Sequence, residues 1–275
     1  AGSTQAFNKK MHAVAKKGGV TDAKIYNMIG LSNGELGENG IKGVSKKAEN
    51  AFSAKDMALI ARYLVNTYPD ALNITKENNV EFKVSDKQSY NMKNINAMLP
   101  NNGAAPKNGT MDGLKTGSTD KAGNCFVGTG VFNNRRLITV VLGTDIKDFS
   151  KQFNATNKML EAVQGAYQPV NIKQLNNVKG VSSKVKVAHS KQSTVKIGMK
   201  QPVALWLPKG TNLKQVNGEI DLKSNLRTIG GHKLRAPIKK GQTVGSLKVA
   251  PIKGMPSVKI PVVAQQSVAK HSVFN

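Results

Sequence analysis

Lys115-Thr116-Gly117 is the stretch of this sequence whose residue types can do chemistry at close range. The lysine ammonium supplies charge, the threonine hydroxyl donates a hydrogen bond, and a glycine without a side chain lets a ligand backbone approach a strand. Together the three make a receptor for a carboxylate. The triplet stands just before an apolar run that reads as a hairpin, residues 125–132 and 137–143, turned at Asn133-Asn134.

The remaining chemistry-bearing residue types are sparse. Cys125 is the single cysteine, so neither an intrachain disulfide nor a thiolate zinc cluster can form. Its place inside the first hairpin strand reads as that of a small buried hydrophobe. His12, His189, His232 and His271 are scattered without ligand spacing, which supports neither a metal site nor a Ser-His-Asp triad. No cofactor is expected.

The elements that must position the triplet come from periodicity. A helix is expected over 6–17, with Phe7, Met11, Val14 and Ala15 on one face and Gly18-Gly19 as its stop. Residues 20–52 read as a long ordered loop. Ser53 is the N-cap of the clearest helix, whose buried stripe is Met57, Ile60, Ala61, Leu64 and Val65 and which ends at Tyr68-Pro69-Asp70. Val80, Phe82 and Val84 alternate with charged residues as in a strand. A polar loop at 101–110 leads to the triplet, and 148–163 closes this part as a helix. Beyond Pro169 the runs 181–188, 193–197, 203–207, 234–237, 245–249 and 257–263 are short and bounded by turn residues. The fold class is therefore α+β: helices flank an antiparallel sheet in 1–167, a small all-β sandwich follows in 168–264, and 265–275 forms a tail.

Charge separates the two parts. Residues 1–169 hold 22 Lys+Arg against 14 Asp+Glu, whereas 170–275 hold 19 against 2. The basic part suits an anionic surface, such as a cell-wall polymer or a membrane; the same lysines also read as solvated strand faces. Nucleic acid is disfavoured, because stacking aromatics are few. No segment reaches the roughly eighteen consecutive apolar residues that span a bilayer. The first residues lack both an initiating Met and an apolar leader, so the chain is expected to begin inside a processed protein or a fragment.

Three blocks carry a resemblance: 94–99 (NINAML), 112–123 (DGLKTGSTDKAG) and 136–143 (RLITVVLG), with 52–58 (FSAKDMA) upstream. In order and spacing they resemble the low-molecular-mass penicillin-binding proteins that act as serine-type D-alanyl-D-alanine carboxypeptidases. The β-rich part resembles the C-terminal domain of the same proteins. The resemblance implies a penicillin-binding-protein/β-lactamase-like domain that hydrolyses the D-Ala-D-Ala end of peptidoglycan pentapeptide stems through an acyl-enzyme. It implies β-lactams as inhibitors and an extracytoplasmic location, in the cell wall or at the outer face of the cytoplasmic membrane. It makes Lys115, Thr116, Gly117 and Ser118 the substrate-binding residues, with Lys115 and Thr116 receiving the terminal carboxylate.

The family also needs a Ser-x-x-Lys nucleophile motif and a Ser-x-Asn motif, both ahead of Lys-Thr-Gly. No Ser-x-x-Lys occurs before Lys115, and Ala1-Gly2-Ser3 matches a point just after Ser-x-Asn. The letter matches that do occur are Ser118 with Lys121, Ser183 with Lys186, Ser193 with Lys196, Ser267 with Lys270, and Ser89-Tyr90-Asn91. All sit in the wrong order or the wrong part. The catalytic serine and lysine are therefore expected upstream of Ala1. In the closing helix Gln152 stands where some relatives carry an arginine.

Overall fold

The computed structural model describes residues 1–174, 184–201, 203–250 and 257–271. It divides into two compact units, Ala1–Val163 and Gln164–Asn275. In the first, α1 (Thr4–Gly18) is capped by the Ser3 hydroxyl, which accepts from the Ala6 amide, and stops at Gly19, whose φ of 97° suits glycine. The buried face differs from the expected stripe: Phe7 is 40% exposed and Val14 45%, while Ala15 and Gly18 are buried and Met11 half-buried. The reason is a close crossing at Gly18, where an added Cβ would lie 3.4 Å from Tyr63 Cβ. That contact draws the last turn inward.

Residues 20–52 form an ordered loop with a single 3-10 turn at Gly37–Asn39. Asparagine side chains replace the missing backbone ladder. Asn50 Oδ1 accepts from Tyr26 N at 2.7 Å and its Nδ2 donates to Asn27 O at 2.8 Å. Buried Asn33 accepts from Ile41 N at 2.7 Å and donates to Ile41 O and Val44 O. Such bonds satisfy polar groups that a buried loop would otherwise strand.

Helix α2 (Ala54–Thr67) opens with a capping box: Ser53 Oγ accepts from Asp56 N at 3.1 Å, and the Asp56 carboxylate accepts from Ser53 N at 2.8 Å. A short helix, α3 (Ala71–Thr75), follows at once and has no counterpart in the sequence-based expectation. Next comes a two-stranded ribbon, β1 (Asn79–Ser85) and β2 (Gln88–Lys93). Its pairs Val80–Met92 and Phe82–Tyr90 put five apolar side chains, with Val84, on one exposed face.

The sheet that carries the triplet has the order β3-β4-β5, with β3 Thr110–Thr119, β4 Gly123–Phe132 and β5 Arg135–Thr144, all antiparallel. Lys115-Thr116-Gly117 thus lies within a ten-residue strand and not in a lead-in to one. Helix α2 packs on β5 and α3 on β3. Helix α4 (Lys151–Ala166) sets Phe153 edge-on against Phe126 at 5.1 Å. Met98, Leu99, Met111, Phe126, Phe132 and Phe153 are almost fully buried, each contributing about 1.5–3 kcal/mol relative to exposure.

After the end of α4 the described residues of the second unit form strands and short 3-10 turns. The strands are β6 (Tyr167–Asn171), β7 (Lys184–Ala188), β8 (Thr194–Met199), β9 (Ala204–Pro208), β10 (Gly218–Leu222), β11 (Leu234–Arg235), β12 (Thr243–Val249) and β13 (Val258–Ala264). Six of them form a sheet of order β10-β12-β13-β8-β7-β11, and β6 pairs with β9. One apolar core, including Ile172, Leu205, Leu207, Val195, Leu247 and Val262, joins the two sheets. Strands β6 and β10 were not expected from sequence. The first three residues of the expected 181–188 strand, and 272–275 of the expected tail, lie outside the described residues. The tail is partly tied down, since Ile238 and Val268 exchange backbone bonds of 2.9 and 2.8 Å.

Close strand approach predicts two opposite glycine effects. At Gly130 a Cβ would fall 2.5 Å from Thr110 O and 2.9 Å from Met111 Cα, so Gly130→Ala should destabilise by about 1–3 kcal/mol in chemical denaturation. At Gly165, in helical backbone with open space around it, Gly165→Ala should stabilise by about 0.4–1 kcal/mol. The capping box adds an acid-dependent effect. Bonds from Ser53 hold the Asp56 carboxyl below its usual 3.8. The stability difference between the protein and its Asp56→Asn variant should therefore be full above pH 3.8 and shrink as pH falls through the lowered folded value.

Candidate functional site

The triplet stands on the wall of two cavities. The larger, about 580 Å³, is lined by Lys115, Thr116 and Gly117 together with Phe52, Met57, Cys125 and Leu142 among others. The smaller, about 230 Å³, is lined by Lys115 and Thr116 with Thr75, Asn94, Asn96 and Leu114 among others. Lys115 and Thr116 are therefore common to both. Ser118, the fourth expected residue, lines neither; its hydroxyl donates to buried Asn124 Oδ1 at 2.5 Å.

Lys115 is exposed, and its Nζ donates to Thr116 O at 2.6 Å. An ammonium has three donors, so two remain for a ligand. Strand β3 is an edge: among the described residues it pairs with β4 alone. Its outward backbone groups can accept an extended peptide. At Gly117 an added Cβ would meet nothing within 4 Å, and the backbone is not left-handed. Neither packing among the described residues nor conformation asks for glycine there.

What fixes β3 is a set of contacts around its first half. Arg136 of β5 grips Asp112 of β3 through two parallel bonds of 2.7 Å, and the same guanidinium donates to Thr129 of β4 at 3.1 Å. Thr75 Oγ1 donates to Asp112 O at 2.7 Å. Buried Asn96 reaches toward Gly113 O at 3.5 Å and accepts from Met98 N at 3.0 Å. Asn94 in turn caps the end of α3, donating to Thr75 O and Glu77 O. Sequence reasoning found the 94–99 and 136–143 blocks through resemblance, but it did not find Thr75, or Arg136 as a clamp. At the other end Lys121 pairs with Glu49 at 2.7 Å, joining the β3–β4 turn to the long loop.

The remaining candidates separate cleanly. Ser118 and Lys121 make no hydrogen bond with each other among the described residues, since each is engaged elsewhere. Ser89-Tyr90-Asn91 sits on the exposed ribbon. Lys196, Ser267 and Lys270 belong to the second unit, and Ser183 lies outside the described residues. Gln152 is fully buried in α4, donates to Phe149 O at 3.3 Å and lines neither cavity. Cys125 departs from its expected burial: it is half-buried on the larger cavity's wall, with Sγ 3.4 Å from Ala122 O. No group of His, Cys, Asp and Glu able to hold a metal occurs among the described residues.

Comparison with known proteins identifies the family. A family profile described as D-alanyl-D-alanine carboxypeptidase matches residues 1–146, more than half of the chain. The chain belongs to the D-alanyl-D-alanine carboxypeptidase family. Residues 167–270 match the penicillin-binding protein 5 C-terminal domain. The D-alanyl-D-alanine carboxypeptidase DacF of Bacillus subtilis is 28% identical over 98% of this chain and 60% of its own length. DacC of Escherichia coli is 28% identical over 100% of this chain and 59% of its own. The chain thus spans about three fifths of these relatives. Among solved structures, a peptidoglycan synthesis regulatory factor (PBP3) from Streptococcus pneumoniae matches with a TM-score of 0.76 at 30% identity, covering 98% of this chain and 71% of that one. Penicillin-binding protein 5 of Haemophilus influenzae shares the fold, at a TM-score of 0.54, 21% identity and coverage of 96% and 66%. The α+β expectation, a carboxypeptidase-family domain followed by an all-β domain, holds for this chain.

The clamp yields a stability prediction. Asp112→Asn and Arg136→Gln should each destabilise the first unit, and the double variant should cost less than the sum by about 0.5–3 kcal/mol in a double-mutant cycle. Strict additivity would mean that the pair does not act as one contact.

Proposed function

We propose that these residues belong to a serine-type D-alanyl-D-alanine carboxypeptidase that trims peptidoglycan stem peptides and binds penicillins. The observation that carries this reading is the Lys115-Thr116-Gly117 wall on the open edge of β3, with Gly117 facing empty space. The ammonium of Lys115 and the hydroxyl of Thr116 receive the terminal carboxylate of a pentapeptide stem. The β3 edge pairs with the peptide backbone, and Gly117 admits it. A serine oxygen attacks the carbonyl of the penultimate D-Ala, the peptide C–N bond breaks, and terminal D-Ala leaves with a proton. Water then attacks the ester and frees the shortened stem. A β-lactam, which carries its own carboxylate, occupies the same receptor and acylates the same serine.

These 275 residues supply the receiving half of that site. The nucleophile and its lysine belong to sequence beyond them, since no Ser-x-x-Lys precedes Lys115. An acyl-transfer site without its nucleophile keeps only binding and electrostatic terms, a loss of several orders of magnitude in rate. Peptidoglycan stems lie outside the cytoplasmic membrane, which supports an extracytoplasmic location for this reading. A second reading, a non-catalytic binder of an anionic wall polymer or membrane surface, draws on the basic second unit.

Fluorescent penicillin labelling separates these readings. The 275 residues alone should give no covalent band. A protein extended with its upstream coding sequence should label at a serine outside residues 1–275, and Lys115→Ala should lower that labelling at least about a hundredfold. Gly117→Val should lower labelling while leaving unfolding free energy within about 0.5 kcal/mol of the parent. A stable band from the 275 residues alone would sink the assignment of the nucleophile, and an extended protein that never labels would favour the binder.

A further inference from the structure

The second unit contains a cationic cavity that the carboxypeptidase reading does not use. Three separate stretches meet there: the end of β7, the 227–235 segment, and residues 268–271. Backbone bonds fix the junction, with Ala236 N donating to Ala188 O at 3.1 Å, His271 N to His189 O at 2.8 Å and Thr228 N to Lys233 O at 2.9 Å. The cavity measures about 490 Å³ and is lined by His189, Thr228, Ile229, Arg235, Ala236 and Lys270. Three basic residues and a threonine therefore line it from three parts of the chain.

Among the described residues no acidic side chain lines the cavity. Glu219 and Asp221 are the only acidic side chains after residue 164. Both lie on β10, neither lines the cavity, and Asp221 is paired with Lys248 at 2.9 Å, with Arg227 and Lys259 adding to its field. No ion pair among the described residues involves Arg235 or Lys270. A guanidinium fork and an ammonium lining one cavity suit the unesterified oxygens of a phosphodiester. At the rim, Ile229 is 97% exposed, on a tip formed with Gly230 and Gly231 at φ 95° and 81°. A fully exposed isoleucine beside a cationic cavity is unfavourable in water. It is favourable where an apolar phase lies just beneath a layer of phosphates.

We propose that this cavity binds the phosphodiester headgroup of an anionic phospholipid, with Ile229 entering the acyl boundary below it. Arg235 and Lys270 hold the phosphate oxygens, and the Gly230-Gly231 turn lets the tip enter the surface; the Thr228 hydroxyl is directed to Lys233 O at 3.5 Å. The proposal is independent of the catalytic reading, because all six residues belong to the second unit.

Co-sedimentation of the 275-residue chain with phosphatidylglycerol/phosphatidylcholine vesicles at fixed salt tests it. The double variant Arg235→Gln/Lys270→Gln should lose about thirtyfold in vesicle partitioning, at roughly fivefold per charge. Lys184→Gln/Lys196→Gln removes the same charge from paired, exposed positions on β7 and β8 and should lose no more than about threefold. Equal losses for the two pairs would overturn the cavity in favour of diffuse charge. Ile229→Ser should weaken vesicle binding about tenfold while leaving the weak binding of inorganic phosphate unchanged. Soluble glycerol-phosphate oligomers are the competing source. If they bind as tightly as vesicles and Ile229→Ser changes neither, the lipid assignment falls.

Discussion

The bidentate ion pair between Asp112 and Arg136 is the contact on which the candidate binding edge of the first unit depends. It ties the two outer strands of the β3-β4-β5 sheet to each other and, through Thr129, to the strand between them. The two side chains are 21% and 29% exposed, shielded enough from water for the paired geometry to matter. The strand pairing thereby gains a fixed register just where β3 is irregular, at the shift between Met111 and Gly113. Three residues further on, Lys115 inherits its position from that anchor.

Support spreads outward from the same point. Thr75, at the end of α3, donates to the carbonyl of Asp112, and Asn94 closes α3 from the other side. Thus β3, α3 and the 94–99 segment brace each other through polar contacts, while apolar burial of Met98, Leu99 and Met111 holds them from beneath. A rigid edge strand is what a receptor for an extended ligand needs, because the ligand contributes only half of the pairing. In the second unit the hierarchy is reversed. There a single apolar core carries the fold.

Much of this arrangement was legible in the residues. Ser53 and Asp56 announce α2 because capping chemistry is local, and Asn133-Asn134 announce the β4–β5 turn, where both adopt positive φ. The full length of β3 was hidden. Its residues are mostly polar, and the irregularity after Met111 breaks the period of two on which strand reading relies. Strand β6 was hidden by Pro169, tolerated because β6 pairs among the described residues with β9 alone. Strand β10 offers only Ile220 and Leu222 between charges, too short an alternation to stand out. At the site, Lys115 and Thr116 were visible as residue types in a motif. Thr75 and the Arg136 clamp were not, because their roles arise from distances across three elements that no local pattern records.

Cys125 gives the larger cavity a property that its lining alone does not suggest. It is the single sulfhydryl in 275 residues, it is half-buried on the cavity wall, and it stands directly across the ladder from Gly117. A small alkylating dye would therefore tag this cleft and nothing else in the chain. The molecule comes with its own reporter at the spot where an arriving peptide would cast its shadow.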